Sequence, residues 1–343
     1  MTPEPHDAML WEAFDDQKVR CLLCGHQCIV AAGSCGLCRV RQNVAGVLKS
    51  LNYDTIVAIN ADPIEKKPLF HFLPGTRSLS IAAPGCNFQC DFCQNWGISQ
   101  SPRTSRPSGQ NVTPEQIVAA AVNNACPSIS YTYTEPTVFF ELAYDTGRLA
   151  HQRGLKNCFV SNGYMTARAV EEIRPYLDAV NVDLKAFRDR TYRNVMKATL
   201  EPVLVCLRAL VAAEIWVEVT TLVVPGMNDS AEELGDIARF IAGDLGPSVP
   251  WHVSRFHPDY KMSAVGSTPI ERLELACGLG KEAGLKHVYC GNVPGQTDER
   301  TYCPSCGEVL IDRTGFSIRG IFLKRGACPS CSEGIAGAWD TRA

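Results

Sequence analysis

From residue 78 onward the chain alternates strand-like and helix-like stretches, and no other feature restricts its fold so severely. Runs at 78–83, 128–134, 156–161, 179–184, 216–224, 249–256 and 286–291 read as strands. Between them, 114–125, 137–153, 166–177, 202–213, 230–243 and 269–283 read as helices. Two helix starts are explicit. Thr113-Pro114-Glu115-Gln116 offers an N-cap, a first-turn proline and an early acid. Ser230 with Glu233 three residues on reads as a capping box. Strand–helix alternation implies βαβ units on a parallel sheet. Six repeats before a last strand predict an α/β fold, an incomplete (β/α)6 barrel one strand short of a closed eightfold ring. In barrels the chemistry sits at the carboxyl ends of the strands, and those ends direct the search for functional residues.

The first strand runs straight into Pro84-Gly85-Cys86-Asn87-Phe88-Gln89-Cys90-Asp91-Phe92-Cys93. A C-x3-C-x2-C loop at a strand end can aim three thiolates at one iron–sulfur cube, because thiolates are the usual cluster ligands. A 4Fe–4S cluster has four irons, so Cys86, Cys90 and Cys93 leave one open to chelate an organic ligand. S-adenosylmethionine carries the amine and carboxylate to do so, and one electron from the cluster can break its sulfonium bond to release a 5′-deoxyadenosyl radical. The plainer alternative is a structural metal loop, but zinc would more naturally show C-x2-C pairs with a fourth ligand. The spacing, with Phe92 before the last cysteine, resembles the signature of the radical S-adenosylmethionine (radical SAM) superfamily.

The other strand ends are polar. The second closes on Thr134-Glu135-Pro136, where Glu135 can accept a cofactor amine or serve only as a helix N-terminal acid. The third closes on Ser161-Asn162-Gly163, within reach of a ribose or carboxylate, or forming only a polar turn. On the fourth, Asp183 and Lys185 alternate onto one face opposite Val180, Val182 and Leu184. A charged pair facing a barrel interior is costly unless functional or tightly paired; Lys185 can hold a cofactor carboxylate and Asp183 can orient it or a substrate. The fifth strand carries Thr221, and its turn, Val224 to Asp229, can lie against an adenine or be a tight loop that needs Gly226. The sixth ends in Arg255, His257 and Tyr260, expected where a substrate meets the radical, with Arg255 able to bind an acid group. The last ends Tyr289-Cys290-Gly291-Asn292-Val293-Pro294-Gly295.

Seventeen cysteines in 343 residues need a reason, and twelve fall into three compact groups, at 21–38, 86–93 and 303–331. Metal binding explains that clustering better than packing does. Cys21, Cys24, Cys28, Cys35 and Cys38 form two knuckles that supply five thiols for four expected ligand positions, with zinc or an auxiliary iron–sulfur cluster both compatible. Cys303, Cys306, Cys328 and Cys331 are paired C-x2-C knuckles flanking short strands at 309–311 and 320–323. That is a ribbon signature whose usual tenant is zinc, with iron or a cluster the alternative. Cys126, Cys158, Cys206, Cys277 and Cys290 stand singly and read as small buried hydrophobes. Residues 44–61 alternate loosely as one or two short strands, and 62–72, with its paired prolines, reads as an extended connector in which His71 is packed. Three units follow: a cysteine-rich segment and connector at 1–75, the barrel at 76–298 and a four-cysteine ribbon at 299–343.

A net charge of −3 gives no electrostatic case for nucleic acid or an acidic membrane surface, and no apolar stretch is long enough to span a bilayer. The acidic start lacks the pattern of a signal peptide, so a cytoplasmic location is expected. No Gly-x-Ser-x-Gly elbow, His-Glu-x-x-His motif or Gly-Lys-Ser/Thr phosphate loop supports a hydrolase.

Together these stretches resemble the AmmeMemoRadiSam system radical SAM enzymes, relatives of the pyruvate formate-lyase activating enzymes. The likeness runs from about residue 8 to 339 and is most specific at Cys21–Arg41, Asp62–Gly75 and Gly85–Trp96. It implies a 4Fe–4S cluster, S-adenosylmethionine and a donor such as flavodoxin or ferredoxin. Asp183 and Lys185 are similar to an Asp-x-Lys motif that touches the cofactor, and His257 to a histidine on the sixth strand. Cys35 is additional to the pattern, which leaves Cys21, Cys24, Cys28 and Cys38 as the four N-terminal ligands. The Gly-Gly-Glu stretch usual in many radical enzymes is here Thr134-Glu135-Pro136, so only Glu135 carries over. The family's name implies AMMECR- and Memo-type proteins as partners but no substrate. The expected function is hydrogen abstraction from an unknown small molecule or protein, with glycyl-radical-enzyme activase and non-catalytic metal assembly factor as alternatives.

Overall fold

The alternation along the chain becomes a curved sheet wrapped by helices. The computed structural model describes residues 5–100, 108–293 and 299–339. Eight strands form the main sheet: β1 (Ala58–Pro63), β2 (Arg77–Ala82), β3 (Ser128–Tyr131), β4 (Lys156–Ser161), β5 (Ala179–Asp183), β6 (Trp216–Val223), β7 (Trp251–Arg255) and β8 (Val288–Gly291). Their order in space is their order in sequence, with β2 to β8 all parallel. The crossovers are α1 (Pro114–Asn123), α2 (Phe140–Gln152), α3 (Ala167–Ile173), α4 (Glu201–Ala212), α5 (Ala231–Phe240) and α6 (Ile270–Glu282). Because β1 and β8 do not pair, the ring stays open, as the incomplete barrel requires. Strands covered on both faces read as near-continuous apolar runs; Ile81, Ile129, Phe159, Val182, Val219 and Val253 are all buried accordingly.

The stretch 44–61, expected to hold one or two short strands before an extended connector, holds Val47–Ser50, Thr55–Ile56 and β1, and β1 runs on into the connector as far as Pro63. Residues 58–63 pair antiparallel with β2, from Ala58 opposite Ala82 to Pro63 opposite Arg77. Pro63 is tolerated because a terminal position on an edge strand needs no ladder donor there. Exposure of the flanking polar positions erased the apolar signal. Pro294-Gly295 lies outside the described residues.

The caps also split. At α1 the Thr113 hydroxyl accepts from Gln116 N at 3.4 Å while the Gln116 side chain accepts from Thr113 N at 2.9 Å, a complete capping box. At α5 Ser230 accepts from Glu233 N at 3.2 Å, but the Glu233 carboxylate turns away to accept from Phe187 N at 2.6 Å. Half of the expected box forms there, and its other half fastens the loop after β5.

The N-terminal segment makes two small antiparallel sheets, one of Trp11–Ala13, Val19–Cys21 and Ile29–Val30, the other of His6–Asp7, Val47–Ser50 and Arg41–Val44. Val19, Leu23, Val40 and Leu48 join the same core as the barrel. Arg41 crosses to α2, where it donates to Glu141 Oε1 at 2.8 Å with both side chains no more than 3% exposed. Met9 N donates to the same oxygen at 2.7 Å.

The C-terminal strands Thr301–Tyr302, Val309–Thr314 and Ser317–Ile321 form a third antiparallel sheet. It docks at the amino ends of the barrel strands: Ala338 N donates to His71 O at 2.7 Å and Arg313 donates to Phe70 O at 3.1 Å. Cys126, Cys158 and Cys206 are buried free thiols as expected, whereas Cys277 on α6 and Cys290 on β8 are joined as a disulfide. Helix and strand bring two sequence-isolated thiols face to face, which no spacing rule signals. Among the described residues no helix is long and apolar enough to cross a membrane.

Candidate active site

The carboxyl ends of β2 to β6 surround a cavity of about 360 Å³. Cys86, Cys90 and Cys93 line one wall, on the loop that leaves β2. Gly85 turns this loop with φ of +105°, and a Cβ there would stand 2.7 Å from Val40 Cγ1. Only glycine fits so close an approach. The loop is pinned from outside by Gln89 N to Met196 O at 2.9 Å and Asp91 N to Val195 O at 3.1 Å. Burial, reinforced by Glu135, drives the Cys86 thiol well above its ordinary pKa. Burial likewise raises Cys90 to about 12 against the pull of Lys185. Metal binding at such thiols displaces their protons to solvent, because the thiolate is the ligand.

Opposite the cysteines stand the charged groups of β5. Lys185 Nζ donates to Asp183 Oδ2 at 2.7 Å and lies 5.8 Å from the Phe92 ring centre. Burial opposes its charge, but Asp183 and then Cys90 outweigh it and hold the ammonium above its ordinary pKa. The pair is therefore a fixed ion pair beside the thiols. The turn after β6 supports it from behind, since Asn228 donates to Lys185 O at 2.7 Å. That turn acts as a tight loop, with Gly226 at φ of +74°.

Glu135, Ser161 and Asn162 also line the cavity, yet Glu135 is already engaged. Its Oε1 accepts from Thr137 N, Thr137 Oγ1 and Ser161 Oγ at 3.1, 2.5 and 2.8 Å, and Oε2 accepts from Asn162 N at 2.8 Å. It thereby caps the short turn Pro136–Phe139 and braces the end of β4. Asn162 Nδ2 donates to Asn87 Oδ1 at 2.7 Å, leaving Asn162 Oδ1 buried without a partner. Three thiols on one cavity wall suit an iron–sulfur cube, and the orphaned Asn162 acceptor and the Lys185 ammonium suit a polar organic ligand beside it.

Four predicted residues stand elsewhere. Thr221 faces away from the cavity, donating to Leu184 O and accepting from Trp251 Nε1, each at 3.0 Å; Thr220, one position earlier, lines the wall instead. Strand alternation decides between the two. Arg255 donates to Thr268 O at 2.9 Å, and His257 Nδ1 lies 3.3 Å from Ser267 Oγ. Tyr260 stacks on Trp96 with ring centres 5.2 Å apart. None of these three lines the cavity; Ser254 does. Their loop is nonetheless tied to the cysteine loop, through Lys261 N to Asp91 O at 3.1 Å and the Lys261–Asp91 ion pair at 3.0 Å.

Three contributors escaped sequence reasoning. Lys66, Lys67 and Tyr133 line the cavity mouth around Asp62, which accepts from Lys67 at 2.7 Å, from Lys66 at 3.0 Å and from Tyr133 Oη. Burial pulls Lys67 down to about 8. The signal available was a Lys-Lys pair before Pro68, set aside as connector.

The outer thiol groups differ in geometry. The ligand atoms of Cys303, Cys306, Cys328 and Cys331 all lie within 4.8 Å of one another, close to the edges of a tetrahedron about one zinc ion. Cys21, Cys24, Cys28 and Cys38 gather around a separate cavity of about 20 Å³. A larger cavity, about 640 Å³, opens at the amino ends of the strands beside Trp216, Pro247 and Trp339, but no thiol lines it.

The chain also resembles known proteins. A family model described as the radical SAM superfamily matches residues 80–241. Over 331 residues, 96% of this chain and 98% of the relative, the chain is 47% identical to "Uncharacterized protein MJ0808" of Methanocaldococcus jannaschii. It is 24% identical over 238 residues to the pyruvate formate-lyase 1-activating enzyme of Escherichia coli K12, covering 63% of this chain and 93% of that one. It is also 24% identical over 211 residues to the benzylsuccinate synthase activating enzyme of Thauera aromatica, covering 54% and 62%.

Proposed function

From the radical SAM domain matched over residues 80–241 we propose that the chain cleaves S-adenosylmethionine reductively and uses the resulting radical to abstract a hydrogen atom from its substrate. The observation that carries this reading is the convergence of Cys86, Cys90, Cys93, Asn162 and Lys185 on one cavity. Cys86, Cys90 and Cys93 would hold a 4Fe–4S cluster with one open iron; that group, once reduced, supplies the electron that breaks the sulfonium bond. Lys185, oriented by Asp183, binds the cofactor carboxylate by a charge-assisted hydrogen bond. Asn162 offers its orphaned carbonyl oxygen to a donor on the cofactor, and Phe92 excludes water from the wall beside it. Glu135, already engaged four ways, acts as a brace for Ser161 and Asn162. We assign Thr220, in place of Thr221, to the cavity wall. His257, Tyr260 and Arg255 belong to the substrate side, on the loop that Lys261 fastens over the cysteines.

The kinship with two activating enzymes favours a second reading, in which the substrate is a residue of a partner protein, as for a glycyl-radical-enzyme activase. AMMECR- and Memo-type proteins are the partners that the motif pattern suggests, a flavodoxin or ferredoxin the donor, and the cytoplasm the location. The test is anaerobic: reconstituted protein is supplied with reductant and S-adenosylmethionine and assayed for 5′-deoxyadenosine. Product from the wild type, and none from the Cys86→Ala, Cys90→Ala, Cys93→Ala triple variant, is expected. A wild type that holds its cluster yet neither binds nor cleaves S-adenosylmethionine would sink the proposal.

A further inference from the structure

Beside the active-site loop lies a second thiol site. Cys21, Cys24, Cys28 and Cys38 line a small cavity together with Arg41, His26 and Asn87. Among the described residues, only the C-terminal cysteines bring three or more ligand atoms within 4.8 Å of one another. No three of the N-terminal sulfurs do so. A single tetrahedral zinc needs all four sulfurs near 2.3 Å from one point, hence about 4 Å apart. Cys303 to Cys331 and Cys306 to Cys328, at 3.5 and 3.6 Å, match that. Cys86, Cys90 and Cys93 form no such close group either, so both sets are spread more widely than the C-terminal one. Each thiolate of a cube meets a different iron, which demands that spread.

Two buried donors point to the same tenant. Arg41 Nε and Asn87 Nδ2 are buried, line this cavity between them and have no hydrogen-bond partner. A cube presents sulfides and thiolates along its faces, acceptors for such N–H groups, and hydrogen bonds to the sulfurs are one means by which a protein sets a cluster's potential. The Arg41–Glu141 pair is neutral as a unit, so the site imposes no charge mismatch beyond the thiolates themselves.

Asn87 connects the two sites. It follows Cys86 directly, lines the N-terminal cavity, accepts from Asn162 Nδ2 through its side chain, and is 2.9 Å through its carbonyl from His26 Nε2. Four cysteines complete a cube and leave no iron open, so such a cluster suits electron transfer rather than ligand binding. We infer that Cys21, Cys24, Cys28 and Cys38 hold a fully ligated second 4Fe–4S cluster, which relays electrons across Asn87 to the cluster of Cys86, Cys90 and Cys93. The balance is one electron at a time. A low-potential one-electron donor reduces the N-terminal cluster, which is reoxidised as it reduces its neighbour, with no proton or group transferred. The relay rests on the radical reading of the Cys86, Cys90 and Cys93 site; the identity of the N-terminal cluster does not.

The test counts metal in the full chain after anaerobic reconstitution with iron and sulfide. The Cys86→Ala, Cys90→Ala, Cys93→Ala variant is expected to retain about four iron and four sulfide, with an electron paramagnetic resonance signal on reduction. Adding Cys24→Ser and Cys28→Ser should abolish both, with circular dichroism reporting that the barrel remains. Zinc in place of iron in the triple variant, beyond the one ion of the C-terminal set, would overturn the assignment while leaving the proposed function standing. For the relay, Cys24→Ser, Cys28→Ser with Cys86, Cys90 and Cys93 intact is reduced by dithionite. A spectrum perturbed by S-adenosylmethionine then shows the active-site cluster whole. Reduction of that cluster by reduced ferredoxin should be slowed by an order of magnitude; an unchanged rate refutes the relay. Iron retained in the triple variant, with no S-adenosylmethionine response from any form, would instead refute the radical reading and spare the second cluster.

Discussion

Lys185 is the residue to which the proposed function gives the cofactor carboxylate. Its ammonium is held charged by Asp183 and is only 14% exposed, so the cost of burying it is already met in the folded chain. A cofactor carboxylate arriving there finds an oriented cation. Lys185→Met keeps the apolar stem and deletes the charge, and should weaken S-adenosylmethionine binding by about tenfold to a hundredfold, the worth of one charged hydrogen bond. Equilibrium binding to the anaerobically reconstituted variant measures this, and unchanged affinity would remove Lys185 from the site. Asp183 and Lys185 were legible because two charges on the inward face of a barrel strand need an explanation. Thr221 was misplaced because the exact residue at which a strand wall meets a cavity depends on register. The partners of Glu135 come from two segments, its own turn at Thr137 and the end of β4 at Ser161 and Asn162, and no local pattern announces the second. Lys66 and Lys67 were hidden for the same reason that β1 was: their setting became visible only once the edge strand was paired.

At the scale of elements, the parallel strands and helices were readable because doubly covered strands must be apolar throughout and helices must be periodic. The edge strand β1, half exposed, carries neither signal. The two caps permit a quantitative contrast. Thr113 makes both halves of its box, so Thr113→Ala should lower stability by about 1 kcal/mol, provided α1 unfolds with the barrel. Ser230→Ala should cost less, since Glu233 remains held by Phe187 N and still fastens the loop after β5. Chemical denaturation of the two variants checks the order. The Arg41–Glu141 pair fastens the N-terminal sheets to α2, and its removal acts through the charge left behind. Arg41→Met alone should destabilise by about 3–5 kcal/mol, whereas Arg41→Met with Glu141→Leu should recover most of that loss, as replacing whole buried pairs generally does. Equal losses in single and double variants would show that the pair matters for packing rather than charge.

At the scale of the molecule, the chain puts its two ends to different uses. The N-terminal thiols abut the active-site loop, whereas the C-terminal ribbon docks at the opposite, amino ends of the strands. That dock is pH-sensitive through His71. Its Nδ1 lies 2.8 Å from Ala336 O and its Nε2 2.6 Å from Tyr289 Oη, a pattern that a neutral imidazole satisfies with one donor and one acceptor nitrogen. Burial lowers its pKa to about 4; Glu218 and the Ala336 carbonyl act against this, while Arg313 and His252 add to it. His287, packed 4.4 Å from the His71 ring, is lowered to about 2, again mainly by burial. In the unfolded chain both histidines return toward about 6.5. The unfolded state therefore binds the extra protons, and stability is lost as pH falls through about 6.5 toward 4. Hydrogen exchange at the backbone of 335–339 should accordingly rise relative to β5 between about pH 7 and 5, after correction for the intrinsic pH dependence of exchange. His71→Gln should reduce that rise, whereas a rise caused by protonation of the ribbon thiols would persist in that variant. Removing the metal with Cys306→Ser and Cys331→Ser should loosen the same segment at neutral pH while leaving S-adenosylmethionine affinity intact, because no ribbon residue lines the active-site cavity. Loss of affinity in that variant would mean that the two ends of the barrel are coupled through the sheet.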